Sequence, residues 1–203
     1  LANVHTPDDL MAGARPAGPV LLFDDDHYYL GGVLAELLCR DGRTVTLVTP
    51  AALASAWTVN TLEQAHIQKR LLELGVAILA NQRVIGFDGT AARLACSFTG
   101  RETERPAASL VTVTARLPEN TLARDLTGMA ERVAAAGIRS VATIGDGLAP
   151  GTIAAAVYAG HRYARELDEP PGATVPFRRI LPPIAGGESR GPASRCRRAA
   201  GPD

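Results

Sequence analysis

The chain has 203 residues, with 21 basic and 21 acidic side chains and therefore no net formal charge at pH 7. Without a basic excess, the composition argues against a nucleic-acid-binding protein and against binding to an anionic membrane surface. The length allows one domain with a substantial core, or one domain and part of another. We therefore expect any function to depend on individual sites rather than on overall charge.

The cysteines, at positions 39, 96 and 196, are far apart and form no CxxC pair. This spacing argues against a zinc or iron-sulfur site within the chain and favours reduced thiols in a cytoplasmic protein. No apolar run approaches the roughly 20 residues of a membrane-spanning helix, so we expect no membrane partner. The sequence begins with Leu1 instead of Met, which indicates a processed product or a segment of a longer polypeptide.

The first half of the chain has the pattern of a parallel α/β sheet. Residues 1–14 are polar and form a lead-in, in which TPDD at 6–9 predicts the start of a short helix. PVLLF at 19–23 predicts a buried strand, GGVLAELLCRDG at 31–42 a helix, and RTVTLVT at 43–49 a second strand. Together these segments predict one βαβ unit.

The pattern then changes. A helix is predicted at 60–75 and a strand at 76–80, and the segments RVIGFDG, TAARLACSF and SLVTVTA that follow are short and alternating. We interpret these three segments as a small antiparallel meander laid on the parallel sheet.

The last part of the chain predicts a helix near 122–136, a strand at 138–146 and a long helix at 151–169. Residues 171–203 contain eleven Pro or Gly, six Arg and two acids. This composition predicts a disordered basic tail.

An acidic turn, Asp24-Asp25-Asp26, stands between the first βαβ strand and its helix. A dinucleotide-binding fold places a Gly-rich sequence here so that the backbone can approach a pyrophosphate. Three carboxylates would repel a phosphate, so direct nucleotide binding at this turn is disfavoured. A magnesium-binding acidic pocket remains an alternative, although further acids expected of a receiver domain are missing. The simplest interpretation is that the carboxylates cap the helix and complement its dipole.

A second turn, VATIGDG followed by an Ala-rich helix, is a candidate phosphate-side site. Gly145 and Gly147 allow a tight turn, and Asp146 can accept hydrogen bonds from a ribose or ribitol hydroxyl. The helix that starts near Gly151-Thr152 offers free N–H groups to a diphosphate, and Thr152 and Ile153 are included in the candidate site. The alternative is that these residues form only a strand-to-helix turn.

Other residues invite functional interpretations that the spacing does not support. His27, His66 and His161 lack the Ser, Cys or acid partners of a catalytic triad, so surface or packing roles are favoured and no catalytic residue is assigned. Trp57, in the loop after the second strand, is a candidate interface residue, with packing as the alternative.

Three segments together resemble the trimethylamine, dimethylamine and histamine dehydrogenase family of iron-sulfur flavoproteins: LLFDDDHYYLGGVLAELL, NTLEQAHIQKRLLELGV and IGDGLAPGTIAAAVYAGHRYARELDE. The resemblance covers roughly residues 5–178 and extends more distantly to 2,4-dienoyl-CoA reductase. The reductase needs a working NADPH site. The missing Gly-rich fingerprint and the ending LVTP of the second strand, which lacks an acid or Arg for the ribose, count against that branch.

The resemblance implies the fold and the domain boundaries. In this family an N-terminal barrel carries FMN and a 4Fe-4S cluster, and two C-terminal domains resemble the FAD and NADPH domains of disulfide reductases. Residues 15–130 would form a degenerate NAD(P)-binding-like, three-layer Rossmann-like domain with a small antiparallel meander. Residues 138–170 would form the C-terminal strand and helix of an FAD/ADP-binding-like domain.

The resemblance also implies cofactors and partners. ADP or FAD would bind weakly at the Gly145-Asp146 turn, with Gly147, Thr152 and Ile153 contributing. FMN and the 4Fe-4S cluster would lie outside this chain. The expected partners are the FMN barrel of the parent chain, an electron-transferring flavoprotein and, in the parent, a second copy of the protein.

Two alternative functions stay open: a non-catalytic structural or regulatory module, and a magnesium-dependent phosphoacceptor domain. If the family assignment holds, the isolated chain should be inactive, because the barrel is absent. The resemblance fades after residues 176–179, which is the pattern expected of a fragment or of a truncated or frameshifted gene.

Overall fold

The computed structural model describes residues 3–167, and the predicted basic tail at 171–203 lies outside the described residues. The chain divides into two compact units, one that ends at Arg116 and one that starts at Leu117. Among residues 3–167, no helix combines the length and the apolar character that crossing a bilayer requires.

The first unit is built on a five-stranded parallel sheet with the order β1-β8-β2-β3-β4. Its strands are β1 (Val4–His5), β2 (Val20–Asp24), β3 (Val45–Val48), β4 (Ala77–Leu79) and β8 (Ser109–Val113). The central strands are buried on both faces, as expected for a parallel sheet covered by other elements. The predicted βαβ unit is confirmed, with Leu22 paired to Leu47 in register.

Helices cover one face of this sheet: α1 (Pro7–Met11), α2 (Tyr29–Arg40) and α3 (Gln64–Glu73). The helix start predicted at residues 6–9 is confirmed. It is closed by a capping box, in which the Thr6 hydroxyl accepts the N–H of Asp9 and the Asp9 carboxylate accepts the N–H of Thr6. The core on this face is apolar and includes Leu22, Leu34 and Leu71, all fully buried. A 3₁₀ helix, Ala56–Thr61, precedes α3 where the sequence predicted one continuous helix from residue 60.

A separate three-stranded antiparallel sheet consists of β5 (Gln82–Phe87), β6 (Ala91–Cys96) and β7 (Glu102–Pro106). Its apolar side chains form a second core with residues of the parallel sheet that include Leu21 and Leu110. The predicted antiparallel meander is confirmed, but one of its strands was assigned wrongly.

The segment SLVTVTA was predicted as part of the meander, whereas it forms β8 in the parallel sheet, between β1 and β2. The true third meander strand is β7, whose residues are all exposed. Because both faces of β7 are exposed, its sequence does not alternate apolar and polar residues, although it pairs with β6 through backbone hydrogen bonds. The lead-in also contributes to the sheet, because Val4 and His5 pair with Leu110 and Val111.

The second unit contains α4 (Thr121–Gly128), α5 (Ala130–Ala135) and α6 (Ile153–Glu166). The strand predicted at 138–146 is wrong: residues 138–144 are not assigned to a strand, and Gly145–Gly147 forms a single 3₁₀ turn. A strand needs a neighbouring strand for its backbone hydrogen bonds, and none of the described strands pairs with this segment. The three helices contain no fully buried residue.

Candidate functional site

The acidic turn begins with Asp24, the last residue of β2, whose side chain is completely buried. One carboxylate oxygen accepts the N–H of His27 at 3.2 Å, and the other has no hydrogen-bond partner within the described residues. Burial raises the pKa of Asp24 to about 6, because removal from water penalises the charged form more than the hydrogen bond from His27 favours it. Asp24 is therefore an internal carboxyl group rather than a solvent-facing ligand.

The prediction that these carboxylates cap the following helix is wrong. The N-cap of α2 is Tyr28, which makes no side-chain cap hydrogen bond, and the first turn of α2 contains no acid. The Asp24 carboxylate instead packs on the glycine at position 31. An ideal β-carbon added to Gly31 would lie 2.5 Å from Cγ and 2.7 Å from Oδ2 of Asp24.

This contact shows a feature that the sequence analysis missed. In dinucleotide-binding folds, one glycine of the fingerprint permits close packing of the helix on the strand. Gly31 has the same packing role here, although the residues that would approach a pyrophosphate are carboxylates. The Gly31-Gly32 pair begins seven residues after the end of the strand, whereas the fingerprint glycines are expected directly after the strand.

His27 connects the acidic turn to its surroundings. Its backbone is in the left-handed region, at φ 60°, and its carbonyl accepts the N–H of Trp57 at 2.9 Å. Its ring lies 3.4 Å from the Asp25 carboxylate through Nε2 and 3.4 Å from the Thr49 hydroxyl through Nδ1. Side chains thus fill the carboxyl end of β2 and β3, where a Rossmann fold would place its nucleotide.

A polar contact on the far side of this turn joins α2 to the loop before α3. The Tyr29 hydroxyl contacts the Thr61 hydroxyl at 3.0 Å and also the Glu63 carboxylate. The hydrogen bond to Glu63 raises the pKa of Tyr29, and the same bond lowers the pKa of Glu63. These bonds fix the start of α2 against the segment that carries Trp57.

The geometry of the acidic turn also bears on the magnesium alternative. Asp24 is enclosed and hydrogen-bonded, and Asp25 turns towards His27. Within residues 3–167, no group of three or more His, Cys, Asp or Glu side chains is arranged to hold a metal ion.

The second candidate site lies in the second unit. Gly145 adopts φ 58°, a left-handed conformation that glycine reaches without strain. An ideal β-carbon added to Gly145 would lie 3.8 Å from Cα and Cβ of Ala156 in α6. The exposed Asp146 carboxylate accepts the N–H of Gly151 at 3.2 Å, which folds the loop back towards the start of α6. Gly147 completes the 3₁₀ turn and leaves space for Thr143, 3.1 Å from its ideal β-carbon.

The first turn of α6 offers backbone donors. Thr152 is the N-cap, and its hydroxyl accepts the N–H of Ala155 at 3.3 Å. The N–H groups of Ile153 and Ala154 have no carbonyl partner within the helix, because the first N–H groups of any α-helix lack one. The Ile153 side chain is 84% exposed, so this residue would serve a ligand through its backbone. No acid occupies the first turn of α6, and an anion would be favoured there.

The remaining histidines do not join either site. His66 and His161 are exposed on α3 and α6 respectively. Neither belongs to a hydrogen-bonded arrangement with a nucleophile among the contacts of the described residues.

The first unit is a mixed α/β domain with a five-stranded parallel sheet and a three-stranded antiparallel meander, and its first strand-to-helix turn is closed by its own side chains. The family model described as the OYE-like second alpha/beta domain matches residues 5–93. Dimethylamine dehydrogenase from Hyphomicrobium sp. (strain x) is 32% identical over an alignment of 199 positions. The alignment covers 88% of this chain and 27% of that protein.

Solved structures agree with this similarity. Histamine dehydrogenase from Rhizobium sp. 4-9 is 44% identical, with a TM-score of 0.78 over 90% of this chain and 29% of that one. 6-Hydroxypseudooxynicotine amine oxidase from Pseudomonas geniculata N1 is 38% identical, with a TM-score of 0.72 over 80% of this chain and 24% of that one. The chain belongs to the trimethylamine, dimethylamine and histamine dehydrogenase family, and it spans about a quarter of the length of these relatives.

Proposed function

We propose that this chain is the accessory, nucleotide-domain-like part of a larger oxidoreductase that acts on amines. The observation that carries the proposal is the 44% identity and the TM-score of 0.78 to histamine dehydrogenase, over nearly the whole of this chain but 29% of that protein. Amine oxidation and electron transfer would be supplied by FMN and a 4Fe-4S cluster bound outside this chain. By itself, the chain would have no activity.

Residues 15–130 would then be an NAD(P)-binding-like domain that no longer binds a nucleotide. The buried Asp24 and the His27 contacts at the carboxyl end of the sheet support this assignment, because they occupy the place that a pyrophosphate needs. In this proposal the first unit has a structural role in the parent enzyme.

Residues 138–170 would provide part of an ADP or FAD site. The turn and the helix start fit this role: the Asp146 carboxylate is exposed, and the N–H groups of Ile153 and Ala154, which have no partner within the helix, suit a phosphate. Gly145 and Gly147 permit the turn, and Thr152 orders the first helical turn. The rest of the nucleotide would contact residues outside this chain, so binding by this chain alone should be weak.

The partners follow from the same proposal. The chain would pack on the FMN barrel of the parent polypeptide, and the parent would form a homo-oligomer and pass electrons to an electron-transferring flavoprotein. A cytoplasmic location would suit the two described cysteines, Cys39 and Cys96, which are both free thiols.

The test is a visible absorption spectrum of the native polypeptide that contains this sequence, captured from its source with an antibody to residues 60–75. We expect flavin and iron-sulfur bands on a chain several times larger than the 21.2 kDa of this sequence. A colourless polypeptide of about that mass would contradict the proposal.

A structural or regulatory module that binds no nucleotide is the second candidate, and the closed turn at Asp24 favours it for the first unit. The two candidates differ at Asp146. The exposed Asp146 carboxylate already has a structural role, because it accepts the N–H of Gly151. ADP binding that depends on Asp146 would therefore be needed to exclude a purely structural module.

A further inference from the structure

The segment that contains the 3₁₀ helix exposes several large apolar side chains. Leu53 is 38% exposed, Val59 53%, Trp57 61% and Leu62 85%. We call these four side chains the Trp57 surface. Residues 50–62 also contain no charged side chain, in a chain of which 21% is charged. An exposed, uncharged and apolar segment with a central tryptophan is typical of a protein interface.

The backbone of this segment is held in a costly conformation. Ser55 and Leu62, which flank the 3₁₀ helix, have φ values of 51° and 64°, in the left-handed region that non-glycine residues seldom adopt. This conformation is unfavourable for a residue with a β-carbon and persists only where surrounding contacts impose it. The 85% exposure of Leu62 means that burial in the described chain does not offset that cost.

Polar contacts on the inner side hold the segment in place. The buried Thr58 hydroxyl donates to the Ser55 carbonyl at 2.7 Å, and the Thr61 hydroxyl donates to the Thr58 carbonyl at 3.0 Å. The N–H of Trp57 donates to the His27 carbonyl, which ties the segment to the end of β2. The segment is therefore preorganised, with its hydrogen bonds inside and its apolar side chains outside, an arrangement that lowers the entropic cost of binding.

We propose that the Trp57 surface is a permanent interface with the part of the full-length polypeptide that this chain lacks. This inference rests on the proposed function, because it requires a larger parent protein. The chain spans 27% of dimethylamine dehydrogenase and 29% of histamine dehydrogenase, so most of a polypeptide of that length lies outside it and is available to cover the surface.

The chemistry of the surface selects this occupant over a transient redox partner. Transient partners are guided by complementary charge, and their interfaces are polar, whereas permanent interfaces are more apolar. The absence of charge from residues 50–62 leaves nothing in the segment to steer an electron acceptor. The occupant should therefore present an apolar surface and remain bound.

Hydroxyl-radical footprinting tests the proposal. The native polypeptide that contains this sequence and the 203-residue chain produced alone are labelled in parallel, and Phe98, 82% exposed on the hairpin between β6 and β7, is the reference. We expect Trp57 and Leu62 to be labelled several-fold less in the native polypeptide and Phe98 to be labelled equally in both. Equal labelling of Trp57 in both would overturn the proposal, as would protection of Phe98 to the same extent.

A pair of variants separates an interface from a local structural role. Trp57→Ser with Leu62→Ser should lower the Tm of the full-length protein and leave the Tm of the 203-residue chain unchanged. Phe98→Ser should leave both unchanged. An equal loss in both proteins would assign the side chains to the stability of the first unit and overturn the interface.

The outcomes also distinguish this proposal from the proposed function. Flavin bands on a large polypeptide with an unprotected Trp57 would leave the function standing and reject the interface. A colourless native polypeptide of about 21 kDa would reject both. Protection of Trp57 that develops in the 203-residue chain alone as its concentration rises would assign the surface to a second copy and reject our choice of occupant.

Discussion

The Asp24 carboxylate occupies the space that a side chain on Gly31 would need. An ideal β-carbon on Gly31 would approach Cγ, Oδ2 and Cβ of Asp24 to between 2.5 and 2.9 Å, where ordinary contacts are 3.4 Å or longer. Asp24 is fully buried, so its side chain cannot swing away into solvent. Strand β2 and helix α2 are therefore locked together at the turn where a nucleotide would otherwise enter.

Replacing Gly31 with Ala should lower the free energy of unfolding by about 2 kcal/mol, because the new methyl group overpacks a buried contact. The loss should occur even though Ala favours a helix over Gly by up to about 1 kcal/mol. Urea denaturation of the 203-residue chain, followed by the fluorescence of Trp57, the only tryptophan, measures the change.

Gly32→Ala is the matched control in the same helical turn. Its β-carbon would meet a methyl group of Ile67 at 3.2 Å and the Ser55 hydroxyl at 3.4 Å, contacts that small shifts can relieve. We expect it to cost less than about 1 kcal/mol. In an Asp24→Ala background, Gly31→Ala should also cost little. If the Gly31→Ala variant were as stable as the unmutated 203-residue chain, the strand and the helix would not be locked by this contact.

The stability of the first unit should fall as the pH rises, because of Asp24. Its folded-state pKa of about 6 lies above the ordinary value of 3.8, so the neutral carboxyl is favoured by folding. This contribution is fully present below about pH 4 and is lost as the pH rises through 6, up to about 3 kcal/mol. Asp24→Asn should remove this pH dependence and make the variant more stable than the unmutated chain at pH 7.5. Urea denaturation at pH 4.5 and 7.5 gives the comparison.

Asp25→Asn serves as the control for charge. It removes a carboxylate from the same turn, but one whose side chain is half exposed, and so it separates the loss of a charge from the loss of a buried carboxyl. If the stability of the Asp24→Asn variant changed with pH as much as that of the unmutated chain, the pH dependence would have to arise elsewhere in the protein.

Much of the first unit was predictable because its elements have strong local signals. The buried strands β2 and β3 are continuous apolar or β-branched runs, and α2 has an apolar stripe that ends before Gly42. The failures involve information that is not local. The alternating pattern of β8 suits either sheet, and only the three-dimensional pairing places it beside β2.

The acidic turn shows a second limit of sequence reasoning. The prediction that a pyrophosphate is disfavoured at this turn stays a prediction, whereas the prediction that the carboxylates cap the helix is wrong, because Asp24 is buried and α2 has no side-chain cap. The Asp24 side chain can point inward because Gly31 has no β-carbon, and the carboxylate occupies the space that a side chain at position 31 would need. That complementarity joins residues seven positions apart through the packing of a strand on a helix, and no periodicity encodes it. No sequence pattern indicated that Thr99 and Phe98 would hydrogen-bond to the Cys96 sulfur.

Cys96 should react with alkylating agents faster than Cys39. The hydroxyl and N–H of Thr99 and the N–H of Phe98 hydrogen-bond to the Cys96 sulfur and lower the pKa of its thiol to about 7, whereas burial raises the pKa of Cys39. Since the thiolate is the reactive form, alkylation of Cys96 by iodoacetamide should rise with pH around a midpoint near 7. Mass spectrometry of the separate peptides gives each rate.

Thr99→Val should move the midpoint for Cys96 to higher pH, because it removes the hydroxyl that contributes most to the lowered pKa. Thr103→Val, on the neighbouring strand β7, should leave the midpoint in place. Equal rates for Cys96 and Cys39 at pH 7.5 in the parent chain would contradict the geometry of this turn.

ADP binding by the full-length parent should depend on Asp146. In the proposed site its carboxylate accepts a ribose hydroxyl and, through the N–H of Gly151, orders the loop before α6. Hydrogen bonds to charged groups contribute about 1.5–3 kcal/mol, so Asp146→Ala should weaken binding at least about tenfold in calorimetry. Asp125→Ala removes an exposed carboxylate from α4 in the same unit and should leave the affinity unchanged. Equal affinities for the parent and Asp146→Ala would leave the second unit without a nucleotide site, and the structural alternative would then be preferred.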